Sequence, residues 1–286
     1  MTTFTEAPGS GPGWQVQPRA LIVTIYGLYA REAAGWLSVA SLIRLLAELG
    51  VDEPAVRSSI SRLKQRGVLE PRRAGGAAGY ALSRRGRDIL AEGDQRIFGR
   101  PRARAADGWL LAVFSVPEPQ RQRRHALRSR LTWLGFGTVS AGVWIAPGHL
   151  ADETAAALER GGLSAYVSLF RADYLAFGDL REQVGRWWDL DRLQGLYQAF
   201  LDSVGPALAE PGGRGGAEAF ASYVRALTAW RRLPFLDPGL PAELLPPDWN
   251  GLRADAAFAA LRERLAGPAR AHVLEVTGGP PPDVTG

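Results

Sequence analysis

The 286-residue chain contains no cysteine, one methionine, three histidines and a single lysine, Lys64. The first absence excludes a disulfide framework, a thiolate zinc site and a cysteine nucleophile together. His125, His149 and His272 stand far apart and form no H-x-x-x-H pair. A histidine metal centre is therefore not expected, and only scattered carboxylates are left as conceivable Mg²⁺ ligands. There is no nucleophile elbow, so no catalytic residue and no cofactor are expected, and the chain reads as a non-enzyme. No uninterrupted apolar run reaches the roughly 18 residues that span a bilayer. Met1 to Gln17 is polar, with glycine and proline but no signal-peptide core, which points to a soluble, cytoplasmic protein that keeps away from membranes. The dearth of lysine beside abundant arginine, alanine, glycine and proline follows a codon bias and needs no functional cause.

What is present suits a folded chain. Hydrophobic residues make up 46% and charged residues 22%, enough to build a core and too few charges for general disorder. The length implies two or three domains. The net charge of +5 is unevenly placed: residues 1–104 carry 16 basic and 9 acidic side chains, residues 105–150 carry 5 and 2, and residues 151–286 carry 13 and 18. A basic front and an acidic back suggest an anionic partner for the front alone.

After a tail over 1–17, expected to be disordered, helical periodicity predicts three helices in quick succession, over Ala20 to Ala30, Val39 to Leu49 and about Pro54 to Arg66. Ser38 and Asp52 are placed as N-caps, and Gly50 and Gly67 as stops. On the third helix, at about 100° per residue from Val56, Ile60 and Leu63 fall within about 40° of it and form the buried stripe. Ser58, Ser61, Arg62 and Gln65 lie opposite, flanked by Arg57, Lys64 and Arg66. Small polar groups, an amide and a guanidinium suit base edges in a major groove, and the flanking cations suit phosphates. The alternative is a solvated surface helix, but such helices usually mix both signs of charge. Val68 to Arg72 and Tyr80 to Leu82 read as strands of a hairpin with a turn over Arg73 to Gly79, putting Arg72 and Arg73 at a basic wing tip. A helix follows Ser83. Residues 18–98 thus read as a winged helix-turn-helix that binds double-stranded DNA.

A basic linker, 99–108, leads to a middle unit, 109–178, that alternates strand (Trp109 to Val116), helix, strand (Gly137 to Ile145), helix (Ala151 to Arg160) and strand (Ser164 to Phe170). That order points to a small ferredoxin-like α/β domain. Its first helix is rich in arginine, which is open to three readings: a solvated face, a site for a phosphate-bearing ligand, or a second nucleic-acid contact. Arg124 and Arg128, beside Trp133, Phe136 and Trp144, are the candidate contacts for a small-molecule effector with an aromatic acyl group and a phosphorylated carrier. Residues 179–275 read as helical, with amphipathic segments over Trp187 to Leu201, Ala217 to Leu233 and Ala254 to Leu265, and an apolar, proline-rich bridge before the last. The tail 276–286 is expected to be disordered. The whole is α+β.

Five segments, in this order, resemble the PaaX family of transcriptional repressors: Pro18-Arg19-Ala20-Leu21-Ile22, Ala55-Val56-Arg57-Ser58-Ser59-Ile60-Ser61-Arg62-Leu63, Gly79-Tyr80-Ala81-Leu82-Ser83, Leu131-Thr132-Trp133-Leu134-Gly135-Phe136-Gly137 and Leu244-Leu245-Pro246-Pro247-Asp248-Trp249. The resemblance implies a homodimeric repressor on a palindromic operator, released by an aryl-acyl-CoA such as phenylacetyl-CoA. It also implies a central domain like the small ferredoxin-like (Cas2-like) nuclease subunits of CRISPR adaptation. Their nuclease activity is not expected here, because Val116-Pro117-Glu118 brings no aspartate to the end of the first middle strand. Two other readings compete: an acyl-CoA-binding enzyme, and an RNA-binding protein that uses the central basic helix.

Overall fold

A computed structural model describes residues 17–31, 35–99, 102–175, 177–210 and 215–279. Within them the chain divides into two compact units, one built from residues 98–198 and 232–251, the other from residues up to 97, 199–231 and 252 onward. The tail before Gln17 and the one after Gly279, like Arg100 and Pro101 of the linker, lie outside the described residues.

Local chemistry sets the helix starts of the unit that holds the N-terminal residues. Helix α1, Pro18–Ile25, opens on proline and continues into a π-helical turn, Tyr26–Ala30. Helix α2, Val39–Glu48, starts at Ser38, whose hydroxyl oxygen accepts the Ser41 N–H at 2.9 Å. Helix α3, Glu53–Gln65, starts at Asp52, whose carboxylate accepts the Ala55 N–H at 2.8 Å, with Pro54 in its first turn. Leu21, Ile22, Ile25, Leu42, Leu45, Leu46, Val56, Ile60 and Leu63 are buried together, so all three helices turn their apolar stripes inward.

Three strands accompany the trio: β1 (Trp36–Ser38), β2 (Leu69–Ala74) and β3 (Ala77–Leu82) form an antiparallel sheet in the order β1-β3-β2. The hairpin differs from expectation. Arg72, Arg73 and Ala74 pair with Gly79, Ala78 and Ala77, and the turn is only Gly75-Gly76, with φ of +56° and +78°. Two left-handed residues make a tight hairpin turn that matches the strand twist, and the small flanking alanines pair without obstruction. Strand β1 adds to the expected elements, because three residues ending in a helix cap carry no alternation to read. It explains a glycine, since a Cβ on Gly79 would sit 2.5 Å from the Leu37 carbonyl oxygen and the Trp36 ring. Helix α4, Arg84–Phe98, follows.

The other unit contains β4 (Trp109–Phe114), α5 (Arg121–Trp133), β5 (Gly137–Ser140), β6 (Val143–Pro147), α6 (Ala151–Arg160) and β7 (Val167–Ala172). Its antiparallel sheet has the order β5-β6-β4-β7. The single strand expected over Gly137 to Ile145 is two, folded back at Ala141-Gly142, where the Gly142 carbonyl accepts the Phe114 N–H at 2.9 Å. Leu110, Ala112, Phe114, Leu127, Leu131, Leu134, Phe136 and Trp144 form the core.

Helices α7 (Leu180–Trp187) and α8 (Leu190–Ala209) replace the one segment expected over Trp187 to Leu201. The break falls where the Trp188 indole N–H donates to the Gly135 carbonyl at 2.9 Å and Asp189 caps the next helix.

Beside α1, helix α9 (Gly216–Trp230) packs in the N-terminal unit, with the Thr228 hydroxyl 2.8 Å from that of Thr24. A short helix, α10 (Leu233–Leu236), opens the proline-rich bridge, and buried Asp237 anchors it, accepting from the Tyr197 hydroxyl at 2.7 Å and the Gly239 N–H at 2.8 Å. Helix α11 runs from Asn250 to Thr277, well beyond the expected Leu265, so Val276 and Thr277 of the expected tail are helical. No helix among the described residues is long and apolar enough to cross a membrane. Gly79→Ala is expected to destabilise the fold by about 1 to 3 kcal/mol, as overpacked sites do, read from the denaturation midpoint; an unchanged midpoint counts against the close approach of β1.

Candidate nucleic-acid interface

Helix α3 has one buried and one solvent-facing side. Val56, Ile60 and Leu63 are 0%, 3% and 1% exposed, whereas Ser58, Ser61, Arg62 and Gln65 are all exposed. The four sequence-chosen side chains therefore share an open face, because the apolar stripe that buries their opposites has no second orientation in the trio. Of the flanking cations, Lys64 is exposed and Arg66 half-buried. Arg57 is engaged: its guanidinium lies 2.6 Å from Glu53, one turn earlier, in an exposed pair. Such a pair contributes little to stability and opens readily for another anion.

The hairpin register changes what Arg72 and Arg73 can reach. Being consecutive in β2, they point to opposite faces of the sheet. Arg73 is exposed and donates to the Gly76 carbonyl at 3.1 Å, which keeps it at the turn. Arg72 is half-buried, and its carbonyl accepts the Trp36 indole N–H at 3.0 Å.

One member of this surface was not predicted. Arg19, in the first turn of α1, has its guanidinium held below the usual arginine range, first by burial and then by the positive charges of Arg66 and Arg62. The positive charges of Arg66 and Arg62 on α3 thus act on Arg19. No spacing rule links Arg19 to residues more than forty positions later, and only the packing of α1 on α3 brings them near.

The second candidate set, on the other unit, is less convergent. Trp144 and Phe136 are each 5% exposed and belong to the core. Arg128 is exposed and lies 5.9 Å over the Trp144 ring. Trp133 stacks on Phe235 at 4.8 Å. Arg124 donates to the Val116 carbonyl at 2.7 Å and pairs with Glu118 at 3.0 Å. Among the described residues no group of three or more His, Cys, Asp or Glu is placed to hold a metal ion.

Three family models match in chain order: PaaX-like protein over residues 17–86, PaaX protein central Cas2-like domain over 102–184, and PaaX-like protein C-terminal domain over 188–275. The chain belongs to the PaaX family. Among relatives, it is 29% identical over 268 residues to the transcriptional repressor PaaX of Escherichia coli K12, covering 91% of this chain and 84% of that one. Among solved structures it is similar to the uncharacterized protein Rv0674 from Mycobacterium tuberculosis, with a TM-score of 0.53 and 26% identity over 86% of this chain and 99% of the other. Within the PaaX assignment, the first model spans all of α1 to β3 and therefore every residue of the α3 surface.

Proposed function

We propose that this PaaX-family chain is a DNA-binding transcriptional repressor in the cytoplasm, acting as a homodimer on a palindromic operator and released by an aryl-acyl-CoA such as phenylacetyl-CoA. The observation that carries the reading is the exposed face of α3: Ser58, Ser61, Arg62 and Gln65 together, with no acid on the helix after Glu53. Kinship with a transcriptional repressor supports it.

In this reading residues 18–98 form a winged helix-turn-helix, with α3 in the major groove and the β2–β3 hairpin as its wing. The helix trio and the β1-β3-β2 sheet support that assignment. The strand order β5-β6-β4-β7 similarly supports a ferredoxin-like central domain. Ser58, Ser61, Arg62 and Gln65 meet base edges. Arg57, Lys64, Arg66 and Arg73 meet phosphates, and Arg72 supports the wing from the opposite face while its side chain reaches the DNA backbone. Two copies would present their α3 helices roughly 34 Å apart, one turn of DNA or a multiple of it. An effector need only favour a dimer geometry with the wrong spacing. A hundredfold loss of operator affinity corresponds to roughly 2.7 kcal/mol of coupling, within the usual allosteric range. The role is regulatory and not catalytic.

Gel-shift titration against the intergenic DNA upstream of the gene tests the reading: a discrete shift is expected, reversed by aryl-CoA thioesters. Absence of any shift at low salt overturns it. Arg62→Ala should cost about 1 to 3 kcal/mol and relax specificity at one base position; equal losses on operator and random duplexes would move Arg62 to the phosphates. Replacing Arg72 and Arg73 with alanine should weaken binding to every sequence and flatten the salt dependence by about 0.9 for each phosphate no longer neutralised. An unaltered slope rules out the wing contact.

A further inference from the structure

A cleft of about 610 Å³ lies beside the start of α3, walled wholly by residues of the unit that carries this helix. The α2–α3 turn supplies Leu49 and Val51, the later part of α8 Val204 and Ala207, α9 Ala226 and α11 Leu261. Leu49, Val204, Ala226 and Leu261 are buried, so the body of the cleft is apolar. Folded interiors leave few voids larger than a water molecule, whereas small-molecule pockets measure roughly 300 to 1,000 Å³. The space exists because α3, α8 and α9 line it with alanines, Ala55, Ala207 and Ala226, where larger apolar side chains would close it.

The two charged residues that line the cleft, Asp52 and Arg225, both serve the mounting of α3. Asp52 caps the helix, accepting the Ala55 N–H at 2.8 Å. Arg225 donates to the carbonyl of Leu49, the C-cap of α2, at 3.2 Å. Carbonyls at a helix end lack partners within their own helix, so this bond from α9 fixes the turn that leads into α3. Arg225 is exposed and has no carboxylate partner among the described residues. A neutral carbonyl is a modest partner for a guanidinium, and an anionic oxygen makes a shorter bond that is roughly twice as strong. A ligand that brings such an oxygen to the rim therefore competes with Leu49 for Arg225. In the candidate set around α5, by contrast, Trp144 and Phe136 belong to the core and Arg124 is paired with Glu118.

We infer that this cleft is the effector site: it takes a ligand with an apolar aryl body and an anionic oxygen, the body lying among Leu49, Val51, Val204 and Leu261 and the oxygen drawing Arg225 off the Leu49 carbonyl. The inference rests on the reading of the chain as an effector-released repressor. The two states differ in one contact, Arg225 to Leu49 or Arg225 to ligand, and a ligand shifts an equilibrium only through such a difference. Freeing the turn lets α3 tilt in each copy, which also alters the separation of two reading helices. An aryl carboxylate and the phosphates of an aryl-acyl-CoA both supply an anionic oxygen.

Calorimetric titration of the full-length chain with phenylacetate, phenylacetyl-CoA and CoA tests it, alongside gel shifts on the upstream intergenic DNA. At least one of the two aryl probes should bind, with CoA alone at least tenfold weaker than phenylacetyl-CoA. Binding of phenylacetate makes a carboxylate the partner of Arg225, and binding of the thioester alone makes it a phosphate. A207F, which fills the cleft, should weaken the tighter probe at least tenfold; if it lowers the unfolding midpoint, S203W on the exposed side of α8 carries the same expectation. With that probe saturating, the parent should lose about a hundredfold in operator affinity and R225Q less than about tenfold, and R225K should restore most of the response. Cleft-filled variants that bind the probe like the parent overturn the inference, as does R225Q released as fully as the parent, or CoA bound as tightly as phenylacetyl-CoA. So does loss of the probe from R124A/R128A with binding kept in A207F, which would assign the effector to α5. In each of these cases a parent still released from DNA by the probe leaves the effector reading standing, whereas a parent that binds operator but neither aryl probe removes both.

Discussion

Burial of one face of α9 against α1 is the contact on which the mounting of α3 depends. Phe220, Val224 and Leu227 of α9 are buried, as are Leu21, Ile22 and Ile25 of α1, and inside that contact the Thr228 hydroxyl donates to the Thr24 hydroxyl, which donates in turn to the Ala20 carbonyl. Helix α1 also packs on α3. A three-helix trio of this length buries too small a fraction of its surface to be comfortable alone, so apolar area contributed from two hundred residues downstream adds to its stability. More such links lie in the same unit. Arg225 donates to the Leu49 carbonyl at 3.2 Å, at the turn that leads into α3, and His272 of α11 lies 2.8 Å from Glu48 at the end of α2. Anything that shifts α9 or α11 therefore acts on the mounting of α3.

Charge follows a complementary logic. Helix α3 is poor in acid rather than exceptionally rich in base. On α3 the single acid, Glu53, sits in the first turn, where the helix dipole favours it, and it holds Arg57 in a pair that exposure makes weak. The field at α3 is strengthened by Arg19, whose depressed proton affinity reflects burial and the repulsion of Arg66 and Arg62.

Much of the architecture was legible because single residues decide it. Asp52, Pro54 and Gly67 bracket α3, and the 3.6-residue period of Val56, Ile60 and Leu63 fixes which side faces out. Where the elements depart from expectation the cause is shared: pairing partners distant in sequence are invisible to local pattern. Strand β1 is three residues held by β3. The turn at Gly75-Gly76 is short because Arg73 and Ala74 find partners in Ala78 and Ala77. Gly137 to Ile145 carries no periodic sign of its fold-back at Gly142. The break before α8 is marked by Asp189, a capping residue, but its cause is the hydrogen bond from Trp188 to Gly135, more than fifty residues earlier.

The amino-acid sequence by itself determined the lack of cysteine and scarcity of histidine, the basic front, the outward residues of α3 and the family, since these depend on composition and on contacts within a few residues. Tertiary structure alone decided the rest. It packed α1, which carries Arg19, on α3, put Arg72 and Arg73 on opposite faces, turned Phe136 and Trp144 into core, and divided the C-terminal helices between two units. The physical reason is common to all four: each depends on which apolar surfaces find each other, and hydrophobic burial is non-directional until the whole chain supplies its partners.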